Sequence, residues 1–329
     1  MKAAEAMPVR RGALDAGALA RGPWLLVVAL IVLLGAGTLF PKWQFLATIA
    51  LAKGCVVLGL LLLLRTGLVS FGQGLYYCLG AYAAGALGQY FHLTDAVVLL
   101  AIGTIVAALV ALVLGFLLAN YRSIFFAMLS LAFSMILYGL LVKTQTLGST
   151  DGFNVAPPTL FGQRISGQSG QYPLYALACV VAFVAAGAMY RYFGTPLGRL
   201  SPAIRDNEIR VEYMGASVRN AIHVKYVIAG ALGGLGGALA ALTVGHIDPE
   251  MAYWTTSGEF VFVTILSGTG SVLAPFLGSL LFEVVRSAAY QYSPNTWQMA
   301  LGIVMLIVIV ALPGGLWSVF GGHRRAAQR

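Results

Sequence analysis

Charge is what this chain has least of. Asp, Glu, Lys and Arg make up 9% of its 329 residues, against 59% that are hydrophobic. With a mean hydropathy of +0.86, that balance excludes an ordinary soluble domain. Histidine is as thin, at four residues, and the three cysteines (Cys55, Cys78 and Cys179) sit in apolar surroundings without a C-x-x-C. Neither a zinc set nor a disulfide framework follows from so few ligands, and the thiols read as inert core residues. No G-x-S-x-G, H-E-x-x-H or G-x-x-x-x-G-K-[ST] occurs. The chain thus offers no catalytic set, no metal site, no cofactor motif and no P-loop of its own for ATP.

What is present is a series of apolar runs, at 24–40, 45–64, 96–119, 124–142, 173–190, 224–245 and 297–312. Each approaches the roughly 20 residues that carry a helix across about 30 Å of hydrocarbon. The alternation of a membrane β-barrel is missing, so the expected fold is all-α and polytopic. The net charge of +9 could serve nucleic acid, but its placement argues for a lipid bilayer instead. Lys2, Arg10, Arg11 and Arg21 precede the first run, and His323, Arg324, Arg325 and Arg329 follow the last. By the positive-inside rule both termini are cytoplasmic. The first run is long for a signal-peptide core and lacks a small-x-small cleavage site, so it reads as an uncleaved helix.

Basic residues then order the crossings. Arg65 and Arg122 close spans on the inside, and Arg191, Arg199, Arg205, Arg210, Arg219 and Lys225 put 191–223 inside as well. The polar stretch 143–172, about 30 residues with Pro157-Pro158, is external. Between 259 and 292 short broken elements complete about ten crossings. The expected layout is a basic tail at 1–22, one transmembrane domain at 23–320 and a second basic tail at 321–329.

Three features inside the apolar part stand out. Gly230/Gly234 and Gly233/Gly237 form overlapping small-xxx-small patterns, which let helix backbones approach closely. The stretch 67–82, G-L-V-S-F-G-Q-G-L-Y-Y-C-L-G-A-Y, carries Gly67, Gly72, Gly74 and Gly80 through what is otherwise a span, with Ser70, Gln73 and Tyr82 beside them. A broken helix at membrane depth is tolerated only in protein or along a cavity, so these residues line a substrate path or pack a glycine seam. Finally, Lys53, Glu283 and Arg286 are ionisable residues in mid-span, and Glu259 opens one. Glu283 and Arg286, at i and i+3, pair on one face. Lys53 has no partner visible in sequence, which leaves open a relay or a polar cavity.

Against this background, residues 201–215 (S-P-A-I-R-D-N-E-I-R-V-E-Y-M-G) form a polar island with Arg205, Asp206, Glu208, Arg210 and Glu212. Ser201 suits an N-cap, Pro202 the first turn and Gly215 a C-terminal stop. The pattern predicts one helix of about 13 residues. Asp206–Arg210 and Arg205–Glu208 pairs would support it, and Ile204, Val211 and Met214 would form its apolar side. Such a helix between two spans fits a groove on a partner.

Taken in order, five blocks resemble the inner-membrane permeases of branched-chain amino-acid ABC importers. They are 67–82, similar to the family's G-x-x-S-x-G-H-x-x-F-x-x-x-G-A-Y; Gly148-Ser-Thr-Asp-Gly152; Gly198-Arg199…Ala203-Ile204-Arg205-Asp206-Asn207-Glu208…Gly215, close to G-R-x-x-x-A-I-R-[ED]-[DN]-E; Gly268-Thr-Gly270-Ser271…Pro275…Gly278; and Pro313-Gly314-Gly315-Leu316. The resemblance implies that Arg199, Arg205, Asp206, Asn207, Glu208, Arg210, Glu212 and Gly215 couple to a cytoplasmic ATPase. It implies two ATPase subunits that bind the ATP, a second permease of the same fold and a periplasmic solute-binding protein, in a bacterial inner membrane. It also implies that Ser70, Gly72, Gln73, Gly80 and Tyr82 lie near the path. The family's His is Gln73 here, an Asn of the preceding span is Leu60, and Lys53 is outside the pattern. These departures leave amino acids, urea or amides, and small carboxylates open as cargo. A stand-alone ion-coupled carrier using Lys53 or Glu283/Arg286 is the competing class.

Overall fold

In a computed structural model, the chain is described for residues 16–160, 163–164, 171–292, 296–312 and 315–320. The basic tail residues Lys2, Arg10 and Arg11, those after position 320, and Pro313-Gly314 lie outside them. The long helices are α1 (Ala16–Leu39), α2 (Gln44–Arg65), α3 (Gln73–Tyr90), α4 (Ala96–Leu118), α5 (Ser123–Lys143) and α6 (Gln171–Gly194). Two short helices follow, α7 (Pro196–Asp206) and α8 (Glu208–Tyr213). Then come α9 (Val218–Val244), α10 (Trp254–Ser267), α11 (Ala274–Tyr292), α12 (Trp297–Ala311) and the single turn α13 (Trp317–Phe320). The fold is an all-α membrane protein. Among the described residues, five stretches are long and apolar enough to cross a bilayer: Pro41–Arg65, Ala96–Leu118, Ser123–Lys143, Tyr172–Gly194 and Val218–Val244. By contrast α3, α10 and α12 have only 18, 14 and 15 residues.

Burial sorts these helices into a centre and a shell. α9 packs against α2, α3 and α4, and α2 also meets α6 and α11. The apolar window of α2 is 83% buried and that of α9 67%, whereas α4 and α5 keep only 28% and 22% inside. An apolar helix with a large uncovered face suits lipid, since hydrocarbon exerts no drive to cover it. The contact that holds the centre is backbone against backbone. A Cβ on Gly237 would lie 1.8 Å from the Tyr77 carbonyl oxygen, and one on Gly234 2.3 Å from Ala107 Cβ. Gly230 and Gly233 face Ala111 and Tyr76 in the same way. The four glycines therefore form one face of α9 against α3 and α4.

At one end of the bundle, two-residue strands tie the loops together. β1 (Phe153–Asn154) pairs antiparallel with β4 (His246–Ile247), and β2 (Thr159–Leu160) with β3 (Gln163–Arg164). Gly152, at φ +66°, turns so tightly that a Cβ would strike the Ile247 carbonyl. The opposite end gathers Arg65, Arg122, α7 and α8. There Arg65 donates to the Thr269 carbonyl at 2.5 and 3.1 Å and lies 4.1 Å from the Phe193 ring centroid.

Candidate functional site

Two non-helical segments enter the bundle from opposite ends and meet inside it. The first joins α2 to α3. It leaves α2 at Gly67 (φ +84°), beside the Arg205 side chain, and runs inward to Gln73. Gln73 reaches the neighbourhood of Gly59, six residues before Arg65, so the segment descends about 9 Å at 1.5 Å per residue. Backbone groups freed at such depth need partners, because hydrocarbon offers none. Serines supply them here. Phe71 N–H donates to Ser130 Oγ at 3.1 Å, Gly72 N–H to Ser70 Oγ at 3.2 Å and Gly74 N–H to Ser257 Oγ at 3.0 Å.

The second segment joins α9 to α10. α9 stops at Gly245 (φ +74°), the chain passes through β4 and a 3-10 turn at Pro249–Ala252, and α10 begins at Trp254. Ser134 Oγ donates to the Ala252 carbonyl at 2.7 Å, and Thr256 Oγ1 to the Glu250 carbonyl at 2.9 Å. Gly74 is the meeting point. A Cβ there would be 2.6 Å from Ser257 Oγ and 3.1 Å from the Met251 carbonyl.

These contacts correct the reading of 67–82 as one interrupted span. The interruption ends at Gly72, and Gly74 and Gly80 lie within the regular helix α3. Gly80 belongs to the packing seam, with a Cβ position 2.1 Å from the Gly234 carbonyl. Ser70 and Gln73 are buried, and Gln73 Nε2 donates to the Ala229 carbonyl at 3.3 Å. Tyr82 is buried edge-on against Phe153, with centroids 5.6 Å apart. The structure thus brings Ser70, Gly72 and Gln73 together and leaves Gly80, Tyr82 and Lys53 elsewhere. Ser130, Ser134 and Ser257 complete the break. Sequence reasoning passed over them because a lone serine in an apolar helix has no local signature.

Lys53 does have partners, on α10 and α11. Its ammonium lies 2.6 Å from Glu283 and 3.6 Å from Glu259, while Arg286 lies 3.3 Å from Glu259 and 4.0 Å from Glu283. Glu283 is therefore held chiefly by Lys53, and the expected Glu283–Arg286 pair is the loosest link. Glu259, expected at a span's opening, sits in the second turn of α10 within this network. One lone charge at a bilayer centre costs about 2.5–3.5 kcal/mol. Four that sum to zero share that cost, and only tertiary contact could reveal it.

At the other end the polar island folds as two helices, where one was expected. Thr195, rather than Ser201, caps the first, accepting from Gly198 N–H at 3.2 Å with Pro196 in the opening turn. Pro202 falls inside α7, and Ser201 is buried. The chain leaves helical geometry at Asn207 (φ −162°), whose Oδ1 accepts from Arg210 N–H at 2.9 Å and starts α8. The break assigns Asp206 and Arg210 to different helices, and likewise Arg205 and Glu208, so neither expected pair has its helical spacing. Glu208 is instead gripped by Arg122 Nε at 2.6 Å. That guanidinium also caps α4 through the Ala119 carbonyl at 2.6 Å. Gly215 ends the island at φ +87°.

Ile204 and Val211 point inward, as expected, but Met214 does not. Ile209, Tyr213 and Met214 are 62%, 88% and 68% exposed. They give α8 and its C-terminal end an exposed apolar tip, in a connector whose Arg199, Arg205, Asp206, Arg210 and Glu212 are also exposed. Among the described residues no cluster of three or more His, Cys, Asp or Glu could hold a metal ion.

A helical bundle with two non-helical segments meeting in its interior and a polar two-helix connector suits a membrane transport protein. The model of the branched-chain amino acid transport system permease component family matches residues 43–310, and the chain belongs to that family. Members are transport permease subunits, not enzymes. The chain is similar to the high-affinity branched-chain amino acid transport system permease protein LivM of Escherichia coli, at 29% identity over 79% of this chain and 65% of that protein. It is also similar to the protein of the same name from Salmonella typhimurium, at 28% identity over 79% and 65%. The chain thus spans slightly under two thirds of the length of these relatives. No solved structure matches.

Proposed function

We propose that this chain is the transmembrane permease subunit of an ABC importer in a bacterial inner membrane. Its cargo would be a small amphipathic solute, foremost an amino acid with a branched apolar side chain. Separate cytoplasmic ATPase subunits, two per assembly, drive it, alongside a second permease of the same fold and a periplasmic binding protein. The exposed apolar tip of Ile209, Tyr213 and Met214 carries this reading. An apolar knob on a charged, capped connector has no use for water and is too acidic for a lipid surface. It suits a groove on a partner protein, where an aromatic anchor supplies most of the binding energy.

The clamp between Arg122 and Glu208 gives the connector a mechanical role. It ties α8 to the α4–α5 turn, and Gly67 on the interrupted α2–α3 segment rests against Arg205. Movement of the connector by closing ATPases would therefore reach the broken helices at Ser70, Gly72 and Gln73, and alternate their access. Site-directed cross-linking tests the docking. A thiol introduced by Tyr213→Cys should cross-link to a co-expressed ATPase subunit, and Tyr213→Ala should weaken their co-purification. Unchanged co-purification in Tyr213→Ala and Ile209→Ser together would reject this tip as the docking element.

A further inference from the structure

The charge network opens on one side. Its inner pair is tight and covered: Lys53 and Glu283 are 2.6 Å apart with side chains 12% and 11% exposed. Its outer pair, Glu259 and Arg286, is looser at 3.3 Å and more open, at 25% and 33%. Hydrocarbon is a poor neighbour for either outer charge at mid-helix depth, so that edge faces water or protein. Exposed apolar side chains lie one turn away along both helices. Phe262, one turn after Glu259 on α10, and Leu280, one turn before Glu283 on α11, are both exposed.

Such a pair is a template for a solute that carries both charges on neighbouring atoms. An ammonium can take the place of the Arg286 guanidinium on Glu259, and a carboxylate the place of Glu259 on Arg286. Because the network sums to zero, a zwitterion leaves it neutral both when bound and when gone. A solute of a single sign would leave an odd charge in a low-dielectric site. Exposed Phe262 and Leu280 offer apolar surface within a turn of Glu259 and Glu283. We propose that Glu259 and Arg286 form a contact station for the zwitterionic head of an amphipathic solute, held in place by the Lys53–Glu283 pair behind them. The assignment rests on the importer reading above and adds to it the residues that meet the solute's charged head.

The three native cysteines are buried, which provides a quiet background for a reporter thiol. Phe262→Cys places one beside the pair with all four charges intact. Val113→Cys, on the exposed apolar face of α4, sets the rate for a lipid-facing thiol. In vesicles holding the whole assembly, a charged, water-soluble methanethiosulfonate should modify Phe262→Cys much faster than Val113→Cys. Leucine at about ten times its half-protecting concentration should slow that modification about tenfold. Isoamylamine, the same skeleton without the carboxylate, should not, and adding Glu259→Gln should abolish the protection. Should Phe262→Cys fail to accumulate, Thr255→Cys, one turn before Glu259, carries the same test. Modification no faster than Val113→Cys, or equal protection by isoamylamine, overturns the station. ATP-driven uptake is measured on the same vesicles. Uptake alongside an unprotected thiol overturns the station alone, and no uptake by the unaltered assembly overturns the importer reading with it.

Discussion

Along α9, glycines are placed where any side chain would strike a neighbouring helix. At α7 and α8, on the same chain, a threonine cap, an asparagine cap and one half-buried ion pair support two buried apolar side chains, Ile204 and Val211. The difference follows from the surroundings. In hydrocarbon there is no hydrophobic drive between helices, so close backbone packing must hold the centre. In water the connector can use caps and charges that each contribute little. A closely packed centre beside a smaller connector would suit the importer proposed above, in which the connector is the part that moves.

The sharpest way to break this contrast is at the seam. Gly237→Val should leave no folded protein in the membrane fraction, because its Cβ would begin 1.8 Å from the Tyr77 carbonyl oxygen. Size-exclusion chromatography in detergent reads this directly, and a normal monodisperse peak would refute the seam. Next in size is Lys53→Met, which strands Glu283 and should cost about 3–5 kcal/mol. Thermal unfolding in detergent should show a clear fall. Lys53→Met with Glu283→Leu should recover most of it, because the remaining Glu259–Arg286 pair is still neutral.

How far these features could be read from sequence depended on how local their cause was. Membrane class, the positions of α2, α4, α5 and α12 within a few residues and the α9 glycine face follow from composition and from spacings of four, whereas α1 and α9 begin well before their apolar runs. The two-helix connector was half legible: Gly215 stops it as expected, but Thr195 competes with Ser201 as the cap and Asn207 splits the run. Asparagine both caps and breaks, so a propensity argument cannot say which it does without the fold. The Lys53 network was legible only as four ionisable residues and one i, i+3 pair, since its remaining links join three helices far apart in sequence.

At the connector the effects should be functional before they are structural. Glu208→Lys sets two cations against each other at Arg122 and should abolish ATP-driven uptake while leaving membrane insertion intact. Adding Arg122→Glu should restore part of it if the clamp matters. Uptake at the unaltered rate in Glu208→Lys would remove Glu208 from the coupling path. The smallest effect belongs to Asn207→Ala. Losing the cap should cost about 0.5–2 kcal/mol and speed hydrogen exchange at the Arg210 amide, with the seam amides of α9 unchanged.

The most direct test of the whole account is leucine uptake into vesicles carrying this chain, its partner permease and the binding protein, with and without the ATPase subunits. The account predicts uptake that requires both ATP and those subunits and that survives a protonophore. Uptake that proceeds without the ATPases, driven by a proton gradient, would contradict it.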